Sequence, residues 1–183
     1  MELKGSRTEQ NLWTAFAGES QARNKYDFFA AAAKKEGYEQ IAGFFAETAL
    51  NEKEHAKLWL RALGGFKEGK TAGDTVQNLK WAAEGEHYEW TDMYKNFAQV
   101  AREEGFEEIA RMMDEVAQVE FQHEKRYNKL AENINESVVF TSDKAASWHC
   151  RNCGYIYEGT EAPAVCPACK HGRAYFELMQ DNY

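Results

Sequence analysis

The sequence predicts an all-α four-helix bundle followed by a small β-rich metal-knuckle domain. Three observations predict it. No proline occurs from Met1 to Ala162, and Pro163 and Pro167 both fall near the C-terminus, which suits long helices. Before Ser137 the apolar residues recur with a period near 3.6, without strand-like alternation. All four cysteines lie between Cys150 and Cys169. The expected organisation is a helical domain over 1–134, a linker over 135–147 and a knuckle domain over 148–183.

The first helix is predicted over Thr8–Lys35, with apolar positions Leu12, Phe16, Ala22, Tyr26 and Phe29, and Gly37 ends it. The second runs Tyr38–Leu63 and stops at Gly64–Gly65. Asp74 is an N-cap for the third, which reaches about Glu104 and breaks at Gly105. The fourth runs from Phe106 to about Asn133. Asn135–Ser147 is polar, with a short β-like run over Val138–Thr141. The segment from Trp148 onward is too small to be held by core burial alone, so a metal is expected there.

Composition excludes several classes. With 44% hydrophobic residues in 183, the chain can bury one sizeable core and a small satellite. A net charge of -8, with no Lys/Arg-rich stretch, argues against nucleic acid and anionic membranes as partners. No run approaches a membrane span, and Met1–Gln10 lacks the apolar stretch of a secretory leader. Clustered cysteines then point to a metal knuckle in a reducing compartment, and the cytoplasm is the expected location.

The helical part is a duplication. Glu36–Ala42 matches Glu104–Ala110 at an offset of 68, which also carries Glu52 and His55 onto Glu120 and His123, and Tyr26 and Phe29 onto Tyr94 and Phe97. Gly18-Glu19 maps onto Gly85-Glu86 at 67 instead. One residue is therefore inserted between Glu86 and Tyr94. A π-bulge is the simplest way for a helix to absorb it.

Glu52-x-x-His55 and Glu120-x-x-His123 each set a carboxylate and an imidazole on one helical face. Glu19 and Glu86 lie near the middle of the other two helices. One Glu from each of two helices and Glu-x-x-His from the other two is the ligand arrangement of ferritin-like di-iron bundles. Carboxylates can bridge two cations, imidazole suits iron, and four carboxylates balance two ferrous charges. With 24 glutamates, any single Glu-x-x-His is an ordinary solvated face, and Glu84-x-x-His87 is read as such. Repetition at matched offsets lifts the other two. Glu89, one turn after Glu86, has Gln21 or Ala22 as its first-repeat counterpart. As a fifth carboxylate it would make the two metals inequivalent and favour the harder ferric ion.

Cys150-x-x-Cys153 and Cys166-x-x-Cys169 favour tetrahedral iron or zinc, and the residue types leave both open. Trp148, Tyr155, Tyr157, Tyr175 and Phe176 are expected to form the small core, with His149 and His171 at the surface.

The chain resembles rubrerythrin over essentially its whole length. The resemblance is carried by Leu3–Glu9, Ala15–Tyr26, Phe45–Thr48, Glu54–Lys57, Gly85–His87, Ala101–Gly105 and His123–Arg126. The Cys-Gly-Tyr and Cys-Pro-x-Cys of the C-terminal segment resemble rubredoxin. The resemblance implies a non-haem di-iron peroxidase of oxidative-stress defence, with the di-iron ligands at Glu19, Glu52, His55, Glu86, Glu89, Glu120 and His123. It places a rubredoxin-type iron on Cys150, Cys153, Cys166 and Cys169. One iron exchanging Glu89 for His55 on reduction is also implied, with Tyr26 and Tyr94 nearby. Hydrogen peroxide is then the substrate. Electrons come from rubredoxin or an NAD(P)H-linked reductase, a separate protein because no nicotinamide fingerprint is present. The competing function is ferroxidase or iron handling, against which a dedicated one-electron module argues. A structural zinc-ribbon protein is the third.

The connection between the second and third helices is short for such a bundle. It must cover about 34 Å along the axis. Eleven virtual bonds from Leu63 to Asp74 reach at most about 36–40 Å. A homodimer is expected, and this near-taut segment with Gly64, Gly65, Gly69 and Gly73 leaves exchange of the third and fourth helices between chains as open as an unswapped arrangement.

Overall fold

The computed structural model describes residues 2–66 and 72–180. Gly69 of the connection lies outside them. The described chain forms helices α1 (Arg7–Lys35), α2 (Glu39–Ala62), α3 (Thr75–Tyr88), α4 (Tyr94–Glu103) and α5 (Glu107–Asn135), then strands β1 (Thr141–Cys150), β2 (Ile156–Glu161) and β3 (Phe176–Leu178). It divides into two compact units, Met1–Gly73 and Asp74–Tyr183. The first is the α1–α2 hairpin. The second holds α3, α4 and α5 and the sheet.

Local chemistry sets the helix ends. The Ser6 side chain accepts from the Glu9 N–H to start α1, and the Asp74 side chain accepts from the Gln77 N–H to start α3. Four ends share one closing motif. A left-handed residue follows the helix, and the N–H after it reaches back to a carbonyl of the last turn. The left-handed positions are Gly37, Gly64, Gly105 and Ser137. The matching bonds run from Tyr38 to Ala33, Gly65 to Leu60, Phe106 to Ala101 and Val138 to Asn133, at 2.7–2.9 Å.

The predicted third helix is interrupted. Glu89–Met93 is a π-helical turn between α3 and α4, and the Tyr94 N–H donates to the Glu89 carbonyl, five residues back. This is where the repeat offset changes, so the inserted residue is absorbed as the sequence suggests.

Each hairpin is joined along a seam of small residues. Ala33, Ala42, Ala49 and Ala56 are buried in the first, together with Leu60; Ala83, Ala98, Ala101, Ala110 and Ala131 are buried in the second. Many large apolar side chains stay outside these seams, among them Phe28 (72% exposed), Leu50 (61%) and Met112 (63%).

The sheet has the order β2-β1-β3, with β1 antiparallel to both neighbours. Its first strand begins at Thr141, within the stretch read as linker. Val138–Phe140 is not strand, because the closing motif of α5 holds the Val138 N–H. Trp148, Cys150, Ala162, Cys166 and Phe176 form the core, with Phe140 and Tyr155 packed against it. Tyr157 and Tyr175, expected in that core, are instead exposed at the surface. Tyr157 stands on the edge strand β2 and lays its ring over Gly159, where an added Cβ would come within 2.7 Å of it. Tyr175 meets the His171 ring edge-on at 4.5 Å, outside the core.

Gly37 has φ of 88° with open space where a Cβ would sit. Gly37→Ala should therefore lower stability by about 1–2 kcal/mol through backbone strain alone, measured by urea unfolding.

Candidate metal centres

The two cysteine knuckles are built alike. The Gly154 N–H donates to the Cys150 carbonyl and the Lys170 N–H to the Cys166 carbonyl, at 2.8 and 2.9 Å. Gly154 and Lys170 are both left-handed, with φ of 78° and 65°. These turns aim four sulfurs at one point. All four lie within 4.8 Å of one another. Cys150 Sγ is 3.8 Å from Cys169 Sγ, and Cys153 Sγ is 3.7 Å from Cys166 Sγ. A tetrahedron with metal–sulfur bonds of about 2.3 Å has edges of about 3.8 Å, so the sulfurs fit one metal ion. They are too far apart for disulfides, which need about 2.05 Å.

The four thiols are not equivalent. Cys150 and Cys166 are buried, Cys169 is half-buried and Cys153 is exposed. The His171 backbone N–H favours the Cys169 thiolate against desolvation and, with help from neighbouring sulfurs and Asn152, brings it down to about 6. The Tyr155 backbone acts the same way on Cys153, but the Cys169 sulfur, desolvation and the other two sulfurs outweigh it and push that thiol up to about 12. A cation that binds four thiolates must displace the protons the site otherwise keeps. His149 and His171 are half-buried and have other partners, Glu177 and the Cys169 carbonyl.

The carboxylate–imidazole residues form two triads, one in each hairpin. In the first, His55 Nδ1 lies 2.7 Å from Glu52 and 3.8 Å from Glu19. In the second, His123 Nδ1 lies 2.7 Å from Glu120 and 3.7 Å from Glu86. Helical i, i+3 spacing sets the short contact, and the hairpin crossing brings in the third residue. Each triad gathers its donor atoms within 4.8 Å. Hard carboxylate oxygens with one imidazole suit a ferrous or ferric ion.

Glu89 stands outside the tight second triad but acts on it. Desolvation, a hydrogen bond and charge from Glu120, and charge from Glu89 raise the Glu86 carboxyl above its ordinary range, with His123 opposing. Desolvation and the charges of Glu89, Glu120 and Glu86 likewise raise Tyr94, so its phenol keeps its proton at neutral pH. Tyr26, its first-repeat counterpart, packs on Phe29 and Phe45.

Two groups escape the sequence reading. The Trp59 indole donates to Glu19 at 3.4 Å, a contact foreshadowed by its place four residues after His55 on the same face. His87, read as surface, faces Glu124 across the second hairpin with both carboxylate oxygens at 3.2 Å. That pairing has no sequence signal, because the first repeat carries Ser20 and Ala56 at those positions.

Two carboxylate–imidazole hairpins and a four-thiol knuckle define a metalloprotein with two kinds of centre. Family models agree: one for rubrerythrin matches residues 10–131, and one for the rubrerythrin rubredoxin-like domain matches residues 148–177. The chain is 53% identical over 189 residues to a rubrerythrin of Nitratidesulfovibrio vulgaris, covering 99% of this chain and 98% of that one. It is 52% identical over 188 residues to a rubrerythrin of Porphyromonas gingivalis, covering 99% and 94%. Nigerythrin of Nitratidesulfovibrio vulgaris is 34% identical over 170 residues, covering 88% and 81%. The chain belongs to the rubrerythrin family. It is accordingly an oxidoreductase of the oxidative-stress type, with a di-iron site in its helical part and a four-cysteine iron site in its knuckle.

A carboxyl that protonates more readily folded than unfolded favours the folded state while protonated and opposes it once ionised. In metal-free protein, Glu86→Gln should raise the urea midpoint at neutral pH. The gain should vanish well below the unfolded value of 4.5, where Glu86 is protonated in both states. Urea titrations with a chelator, repeated across that range, check it.

Proposed function

We propose that the protein is a peroxidase reducing hydrogen peroxide to two waters, with electrons entering through the four-cysteine iron. In this reading Glu19, Glu52, His55, Glu86, Glu89, Glu120 and His123 hold the two irons, with Glu89 and His55 as alternative ligands of one of them. Cys150, Cys153, Cys166 and Cys169 hold the third. When bound, the iron pair supplies both electrons for breaking the O–O bond, and the knuckle iron passes electrons one at a time.

The chain's own residues set the conditions. Glu52 and Glu120 each lie against an imidazole at 2.7 Å, which orients the carboxylates before a cation arrives. In the metal-free site Glu86, with its raised carboxyl, holds a proton more readily than an ordinary carboxylate, and a cation must displace it. Tyr94 retains a hydroxyl proton beside Glu86, Glu89 and Glu120, a donor toward oxygen leaving as water. The observation that carries the reading is the same triad geometry in both hairpins, together with a four-sulfur site in the same chain. A storage protein has no use for that one-electron relay. The electron donor is proposed to be rubredoxin or a separate NAD(P)H-linked reductase. The proposed location is the cytoplasm, where the cysteines stay reduced; no helix among the described residues is long and apolar enough to cross a membrane.

We also propose a homodimer that exchanges its α3–α5 helices, so that each iron pair takes Glu19, Glu52 and His55 from one chain and its other ligands from the partner. The end of a compact unit at Gly73, the short connection and the exposed apolar side chains of both hairpins support it.

Two experiments test these readings. Anaerobically reduced protein given a slight excess of peroxide, more than two equivalents, should promptly regain the absorption of its four-cysteine iron, and Glu89→Ala should slow that turnover by at least about tenfold without unfolding the helices. Recolouring no faster than with air-saturated buffer favours the ferroxidase reading instead. For the exchange, a chain carrying Glu19→Ala and Glu52→Ala is co-assembled with one carrying Glu86→Ala and Glu120→Ala. An exchanged dimer should recover one intact centre and about half the activity per dimer, whereas unexchanged chains recover none.

A further inference from the structure

We propose that Trp90, Glu124, His87 and Phe121 form a latch that holds the π-turn against α5 and so positions Glu89. This rests on the reading of Glu89 as a metal ligand. Trp90 is the second residue of the π-turn, directly after Glu89. Its indole N–H donates to Glu124 Oε2 at 2.5 Å. Its ring meets Phe121 edge-on at 5.2 Å and His87 edge-on at 5.4 Å. His87 Nδ1 completes the cluster at 3.2 Å from both oxygens of Glu124, whose side chain is 19% exposed. Three segments, α3, the π-turn and α5, are thus tied at one carboxylate.

The spacing gives the cluster its meaning. Each member follows a proposed ligand by one residue: His87 after Glu86, Trp90 after Glu89, Phe121 after Glu120 and Glu124 after His123. One residue is about 100° around a helix, so the cluster grips the flank beside the ligand face and fixes the backbone of all four ligands. A π-turn is rare in helices and is frequent at functional sites. The first repeat has neither the inserted residue nor the fifth carboxylate. Its residues at these places are Ser20, Ala22 or Arg23, Lys53 and Ala56, and the Ser20 hydroxyl turns back to the Phe16 carbonyl. The duplicated flank has diverged on the side that carries Glu89.

These are positioning residues, and local amide exchange reads their role without turnover. In full-length, metal-free protein, Trp90→Phe keeps an aromatic ring, though a smaller one, and removes the N–H; Glu124→Ala removes the acceptor; Glu124→Gln keeps an acceptor oxygen. The first two should speed hydrogen exchange of residues 90–94 about tenfold while α1 and α2 stay unchanged, and should weaken ferrous iron retention against a chelator about tenfold. Glu124→Gln should exchange as the unaltered chain does. Unchanged exchange at 90–94 in both Trp90→Phe and Glu124→Ala overturns the latch, as does equal acceleration throughout α3 and α5, which marks general destabilisation. If Trp90→Phe fails to fold, Glu124→Ala against Glu124→Gln decides alone. Iron content separates the two ideas: an unaltered chain retaining only its knuckle iron overturns the ligand reading, and Glu89's positioning with it, even if the exchange pattern is as expected.

Discussion

Like charges held close together govern this molecule. Desolvation, together with the neighbouring carboxylates of Glu120 and Glu89, lifts the Glu86 carboxyl, and Glu19 and Glu52 share one imidazole in the other hairpin. No well-packed core favours such an arrangement by itself. It persists because helical spacing places the groups before any cation is present, and because one histidine per triad offers partial compensation. Cation binding converts the repulsion into attraction, so stability and metal affinity pull in opposite directions at these residues.

The four-sulfur knuckle handles the same problem with backbone groups. The Tyr155 and His171 backbones favour the Cys153 and Cys169 thiolates, and two left-handed residues, Gly154 and Lys170, close the loops. A lysine in that conformation shows that loop geometry takes precedence over residue preference there.

Much of this is legible in the chain itself. Periodicity and glycine placement locate the helix ends to within a residue or two. Comparing repeat offsets of 67 and 68 locates the π-turn, because an extra residue in a paired helix has nowhere else to go. The triads are legible for the same reason: i, i+3 spacing is a local rule. What is not legible depends on partners distant in sequence. Trp90 with Glu124 meets across helices and does not recur in the other repeat, while Trp59 with Glu19 is hinted at only by the place of Trp59 on the His55 face. The start of β1 is hard to place because Val138–Phe140 looks like strand by composition, while the end of α5 claims its backbone. Tyr157 and Tyr175 resemble core residues by type, but a sheet of three strands has only one inner face to fill.

Burial within the knuckle has a consequence for traffic. Cys150 and Cys166 are enclosed by Trp148, Phe176 and Ala162, whereas Cys153 and Cys169 border solvent. An ion seated among them is insulated on one flank and bare on the other. A water-borne oxidant or chelator therefore meets the Cys153–Cys169 rim first, so the hydrophobic packing that stabilises this small module also sets the side from which it can be attacked.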